Sequence, residues 1–295
     1  MNRRRQRGVA LVVVLWLLIL LTIVVGVFST LARTEALQAR FLFDTTEARY
    51  TAEAGVHRAV FEMMNPDIET RWVPDGRPYT VEFAGASLEI RIRDESGKIN
   101  LNSASEDLLA ELFYANGVDD LPAVQLADAI ADWRDEDDEP REYGAEIDDY
   151  YTAGLPYGPA NQPFSSVAEL QQVLGMTWEL FLELRDLFTI HGGGSMPDPA
   201  YASAEVLASF PDMDLESAQA FVAEREQTDH MSVEALVMPN GMVVNLGTGS
   251  RNFSVVSRAT LPNGTWSEIH ATLSLGVNTR GRPFRVRYWR EQVED

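Results

Sequence analysis

The densest concentration of chemically capable side chains runs from Asp132 through Trp133, Arg134, Asp135, Glu136, Asp137, Asp138 and Glu139 to Pro140, with Glu146, Asp148 and Asp149 close behind. Carboxylates crowded in this way repel one another, and hard oxygen ligands gathered from one loop are what calcium takes. Calcium is therefore one reading of the run. A solvated acidic face is the other, because the spacing does not match an EF-hand loop and charge runs commonly face solvent. Other chemistries are poorly served. His57, His191, His230 and His270 are scattered, and there is no H-E-x-x-H, no G-x-S-x-G and no phosphate loop. The absence of cysteine excludes disulfides, thiolate metal sites and a cysteine nucleophile. The sequence points away from an enzyme.

The elements that carry these residues begin with an unusual N-terminus. Met1 to Gly8 holds Arg3, Arg4, Arg5 and Arg7, and Val9 to Ala32 then contains no charged side chain. As a helix this run crosses the roughly 30 Å hydrocarbon layer of a bilayer. The positive-inside rule keeps the arginines in the cytoplasm and sends everything after Ala32 to the other side, the periplasm of a Gram-negative cell. An ordinary secretory signal ends at a small-residue site after its apolar stretch, whereas Gly8 precedes it. That order resembles the class III signal of type IV pilins and pseudopilins, in which a prepilin peptidase cuts after the glycine, here between Gly8 and Val9. An uncleaved signal anchor is the alternative. Most pilins carry a glutamate where this chain has Val13, and no acidic residue occurs before Glu35. A subunit without that buried charge needs no neighbouring amine to pair it, which suits the end of a filament.

Beyond the membrane, Phe41, Ala48, Ala52, Val56, Val60 and Met63 recur at roughly helical spacing, so residues 33–65 are expected to continue the helix up to Pro66. Tyr79 to Phe83 and Leu88 to Arg93 read as strands joined at Ala84-Gly85-Ala86, within a segment 79–95. Strand character returns at Phe253 to Leu261, Trp266 to Leu275 and Phe284 to Trp289, with Pro262-Asn263-Gly264 as a turn, so residues 250–290 close the sheet. Residues 96–245 form an insertion, mainly helical: Ser105–Tyr114, Ala123–Trp133, Val167–Leu174 and Thr177–Leu187, then, past Gly192-Gly193-Gly194-Ser195, Ser203–Phe210, Leu215–Glu226 and Val233–Val237. Ser103 and Ser203 are expected as helix caps, Ser103 with Glu106 as a capping box. The fold class is α+β, a long helix on a small antiparallel sheet with a large helical insert.

Lys98-Ile99-Asn100-Leu101-Asn102-Ser103-Ala104-Ser105 resembles the entry to helix-hairpin-helix units, which grip DNA phosphates in other proteins. The candidate hairpins here, Asn116-Gly117-Val118-Asp119-Asp120 and Pro211-Asp212-Met213-Asp214, carry aspartates and no adjacent lysine. On a chain of formal net charge -21 they repel a phosphate backbone, so no nucleic-acid partner is expected. A helix-hairpin-helix protein of DNA uptake, a tethered periplasmic enzyme and a minor pilin of an adhesive pilus stay as competing readings.

Taken together, Gly8 before Val9-Ala10-Leu11, Trp16 in the anchor, Ile99-Asn100-Leu101-Asn102, Ala131-Asp132-Trp133-Arg134-Asp135, Gly144-Ala145-Glu146, and Pro156-Tyr157 with Asn161-Gln162-Pro163-Phe164 resemble the protein K family, the large minor pseudopilins of type II secretion systems. The resemblance covers nearly the whole chain. It implies a pilin-like fold with a helical domain inserted between strands and a single-pass inner-membrane location. It also implies a place in a tip complex with minor pseudopilins I and J, above pseudopilin H and the major pseudopilin G. Prepilin peptidase and the inner-membrane assembly platform are the further partners it implies. Calcium in the inserted domain is implied as well, with Asp135, Asp137, Glu146 and Asp149 as ligands. Pro197 to Ala202 departs from the family's asparagine-rich entry to its second hairpin unit.

Overall fold

The structure, a computed structural model, describes residues 7–67, 69–228, 235–246, 249–276, 281 and 283–293. A single helix, α1 (Arg7–Met63), runs without a break from the apolar segment into the body of the protein. From Val9 to Phe43 its large apolar side chains are exposed; from Ala48 onward Ala48, Ala52, Val56, Ala59 and Val60 are buried, at the spacing of one helix face.

That face lies on a five-stranded antiparallel sheet of order β1-β2-β7-β8-β9. Its strands are β1 (Asp75–Phe83), β2 (Ala86–Asp94), β7 (Asn252–Thr260), β8 (Trp266–Leu275) and β9 (Phe284–Val293). β2 alternates strictly, burying Leu88, Ile90 and Ile92 against α1 and exposing Glu89, Arg91 and Arg93, as a half-buried strand should. Phe253, Val255, Ile269, Ala271 and Leu273 complete this core. Fully burying each such aliphatic side chain stabilises by roughly 1.5–3 kcal/mol. The helix comes close at Gly55, where a Cβ would lie 2.1 Å from Ser257 Oγ. The β1–β2 turn is Ala84-Gly85, with φ of 52° and 86°, the doubly positive geometry of a two-residue hairpin.

β2 and β7 are neighbours in the sheet, Asp94 pairing with Phe253, although the whole insert separates them in sequence. The insert has its own core, distinct from that under α1. It opens with β3 (Ile99–Asn100), followed by α2 (Glu106–Ala115), α3 (Asp120–Arg134) and α4 (Ile147–Thr152). Then come α5 (Trp178–Leu184), β4 (Phe188–Thr189), α6 (Ala204–Leu207) and α7 (Leu215–Gln227), and last the small hairpin of β5 (Leu236–Val237) and β6 (Val243–Val244).

Several expected elements differ. Val167–Gln172 is a 3-10 helix, and the stretch expected over Ser203–Phe210 has only the single turn of α6 in α-helix. Of the helix expected over Val233–Val237, residues 233 and 234 lie outside the described residues and Leu236–Val237 is a strand. Gly241, at φ 83°, turns the chain back so that β-branched Val237 meets Val243. Ser103 does not cap α2. The Asn100 side chain accepts from Asn102 N at 3.0 Å and spends a turn ahead of the helix; Ser105 caps it, accepting from Leu108 N at 3.3 Å, while Ser103 Oγ donates to the Gly194 carbonyl at 2.8 Å. Glu106 is thus the first residue of the helix rather than a capping-box partner. Ser203 precedes α6 but makes no side-chain cap bond.

Insert and sheet are joined by a buried polar network. Asp94, 1% exposed at the end of β2, accepts from Ser96 N at 2.8 Å and from Ser250 Oγ at 2.6 Å. Glu95 accepts from Lys98 Nζ at 2.7 Å and from the hydroxyls of Ser254 in β7 and Thr189 in β4.

Candidate functional site

The acidic run is built around the C-terminal end of α3. Asp132, with no exposed surface, accepts from Arg141 Nη1 at 2.6 Å and from Ala145 N at 2.8 Å, so its carboxylate folds the following loop back on the helix. Gly144 is required there: a Cβ would lie 1.8 Å from Asp132 Oδ2. Arg141 also reaches Glu106 at 3.0 Å and bonds one oxygen of Asp135. Arg134 turns the other way, donating to the carbonyls of Leu101 and Ala104, and so ties the Asn100 to Asn102 entry to α3. Asn102 pairs both ways with Phe164, whose ring packs on buried Trp133.

This scaffold leaves a group of oxygens without partners. Glu146, at the N-terminus of α4, is 4% exposed and neither of its carboxylate oxygens has a hydrogen bond; Asp135 Oδ1 and Asn161 Oδ1 are likewise buried and unpartnered. Burial, and then the charges of Asp132, Asp135, Asp138 and Asp137, push the Glu146 carboxyl up to about 7. Buried acceptor oxygens that no donor reaches are what a hard cation satisfies, and carboxylate and amide oxygens are the ligands calcium takes.

Of the four candidate ligands, Glu146 and Asp135 present free oxygens. Asp137 is exposed and accepts from Glu139 N at 3.0 Å, and Asp149 accepts from Glu146 N at 2.9 Å and thereby orients the start of α4. Asn161 was not among them. It stands at φ 48° and donates to Asp138 Oδ1 at 2.8 Å, while its own side-chain oxygen has no hydrogen-bond partner. Among the described residues no three His, Asp or Glu side chains gather into a metal cluster, so an ion at Glu146 would need neutral oxygens such as that of Asn161 as well.

The N-terminal candidates lie at the start of α1. Gly8 and Val9 are in helical backbone, and Val13 is 51% exposed in the apolar stretch, whose hydropathy is 3.2 with none of it buried. The helical hairpins expected at Asn116 to Asp120 and Pro211 to Asp214 are formed by α2–α3 and α6–α7. Their loops carry Asp119, Asp120, Asp212 and Asp214, the wrong sign for a phosphate.

Residues 90–192 match the family model described as type II secretion system (T2SS), protein K. The chain is similar to the type II secretion system protein K of Klebsiella pneumoniae, 27% identical over 61% of each chain. It is 31% identical to that of Aeromonas hydrophila over 61% of this chain and 62% of the relative. The match to the Pseudomonas aeruginosa protein is longer, 26% identical over 88% of this chain and 86% of the relative. The chain thus spans 61% of the length of the first of these relatives and 62% of the second. Its fold resembles a chain in the crystal structure of the GspK-GspI-GspJ complex from enterotoxigenic Escherichia coli, at a TM-score of 0.62 and 18% identity, covering 87% of this chain and 100% of that one.

Proposed function

We propose that this chain, in which residues 90–192 carry the type II secretion system protein K domain, is a minor pseudopilin that supports secretion by assembly rather than by catalysis. The observation that carries the reading is α1: one uninterrupted helix whose first half is apolar and exposed and whose second half is the spine of a sheet. A lone apolar helix of this kind anchors the subunit in the inner membrane, with the sheet and insert in the periplasm, and packs against other helices when the subunit leaves the bilayer. The bulky insert at the far end, and Val13 where a charge would need a partner from the next subunit, suit the tip position. Minor pseudopilins I and J are the proposed neighbours, as the relative's complex names them, with pseudopilins H and G below. Co-expression of the full chain with pseudopilins I and J from the same cell is expected to yield a stoichiometric complex in detergent, and deletion of its gene to abolish type II secretion. Undiminished secretion by the deletion strain would overturn the assignment. Prepilin peptidase is proposed to cut between Gly8 and Val9, so intact-mass measurement of the membrane-extracted chain is expected to give a first residue of Val9.

Calcium is proposed as a structural ion at the Glu146 site, held by Glu146 and Asp135 with Asn161, and with Asp137 and Asp149 beside them. A bound ion would neutralise the Glu146 and Asp135 carboxylates. The protein's own part is to hold them there, through Arg141 on Asp132 and through Asp149 on the Glu146 backbone. Calcium is expected to raise the melting temperature of the chelator-treated chain, and Glu146→Gln to remove most of that rise. Equal melting temperatures with calcium and with chelator would refute the site.

A further inference from the structure

The two helical hairpins of the insert face each other across a groove of about 740 Å³. Its charge is all of one sign: Glu111 from α2, Asp119 and Asp120 from the α2–α3 loop and the start of α3, and Asp214 from the start of α7. No lysine, arginine or histidine lines it, and none of the four carboxylates is in an ion pair among the described residues. Between the carboxylates the surface is apolar. Tyr114 is 57% exposed, Leu121 54% and Leu215 40%, beside Met213 and Pro122. Large apolar side chains held this far into solvent, in a concave surface with a polar rim, mark a protein contact.

We infer that this groove docks a basic segment of a partner protein, one that carries arginine or lysine on either side of a large apolar anchor. The choice of occupant follows from charge and from shape. Nucleic acid and acidic peptides are repelled. A metal ion would leave Tyr114, Leu121 and Leu215 uncovered. A segment with separated cations pairs with Glu111 of α2 and with Asp119 and Asp120 at the start of α3, Asp214 already accepting from Ser217 N at 2.7 Å as the cap of α7, while its anchor covers Leu121 and Leu215. Charges at such a rim speed the encounter and select the partner, and the buried anchor supplies the affinity. This inference goes beyond the tip assignment and does not depend on it.

The test uses the full chain in phosphatidylcholine nanodiscs and a fluorescent dodecapeptide alternating arginine with leucine and tryptophan. Two comparison peptides replace arginine by glutamate or the apolar residues by serine, and empty nanodiscs are the blank. Saturable binding of the first peptide alone is expected. The double variant E111R/D120R is expected to weaken it about tenfold, and L121S about threefold, while E179R/E183R on the exposed face of α5 leaves it unchanged. Equal loss in E179R/E183R would reduce the effect to general attraction by an acidic protein and overturn the inference. So would equal binding of the glutamate peptide, or self-association of the chain that E111R/D120R abolishes, since the groove would then belong to a second copy.

Discussion

At the scale of single residues, the polar junction and the close-packed glycines carry the sharpest consequences. Glu95 is 3% exposed. Burial disfavours its charge, but the Lys98 ammonium and the hydroxyls of Ser254 and Thr189 outweigh that and hold the carboxyl below the usual carboxylate range. The linkage sign follows: a lowered carboxyl pKa contributes stability that is present above the unfolded value and is lost as pH falls through the folded one. Unfolding followed by denaturant between pH 7 and pH 3 is expected to show stability falling below about pH 4.5. In Glu95→Gln part of that slope disappears, at a cost of about 1.5–3 kcal/mol at neutral pH because half-buried Lys98 loses its carboxylate and keeps only the Ser254 hydroxyl. Gly55→Val forces a side chain into the space held by Ser257. It is expected to cost about 1–3 kcal/mol, read as a lower melting temperature, with the insert's own core unaffected.

At the scale of elements, α1 and the sheet were legible because their signals are long and periodic: an uncharged run followed by i, i+4 apolar positions, and the strict alternation of Leu88, Ile90 and Ile92. The insert was less so. α4 is a six-residue helix fixed by Asp149 and Glu146 rather than by any apolar stripe, and the parallel pair β3–β4 joins residues far apart in sequence through two positions each. The site was half legible. The crowding of acids is visible in composition, but which oxygens go unpartnered depends on Arg141 folding back, and the unpartnered oxygen of Asn161 is set by a backbone conformation that sequence does not advertise.

One device is repeated in the two hairpin units without a shared sequence pattern around it. Arg134, ending α3, donates to the carbonyls of Leu101 and Ala104; Arg225, near the end of α7 and 1% exposed, donates to those of Pro199 and Ala202 at 2.7 and 2.8 Å. Each hairpin unit is thereby latched to its own entry segment, even where Pro197 to Ala202 departs from the first entry's composition. Arg225→Met is expected to cost about 2–4 kcal/mol and to raise amide exchange in α6 and α7 before the sheet is affected, whereas Arg134→Met loosens α2 and α3 first. For α1, Val13→Glu introduces a carboxylate into the apolar stretch at about 2.5–3.5 kcal/mol. Secretion is expected to fall severalfold unless a neighbouring amine pairs with it.

At the scale of the whole molecule, the part beyond the apolar half of α1 is two bodies with separate cores, one under α1 and one within the insert, fastened through Asp94 and Glu95. Changes in one core should spare the other. Calcium at Glu146 is accordingly expected to shift an unfolding transition of the insert while leaving that of the α1-sheet body in place, a separation that calorimetry with and without chelator would resolve.

The pairing of Asp94 with Phe253 carries a mechanical meaning. The strand ladder closes beneath the insert as if nothing had been added, so a load on α1 passes through its packed face to β2, β7 and β8, is shared among them by backbone hydrogen bonds, and bypasses the helical body. A push along α1 can then be borne by the sheet while the insert rides on it unloaded and keeps its own shape.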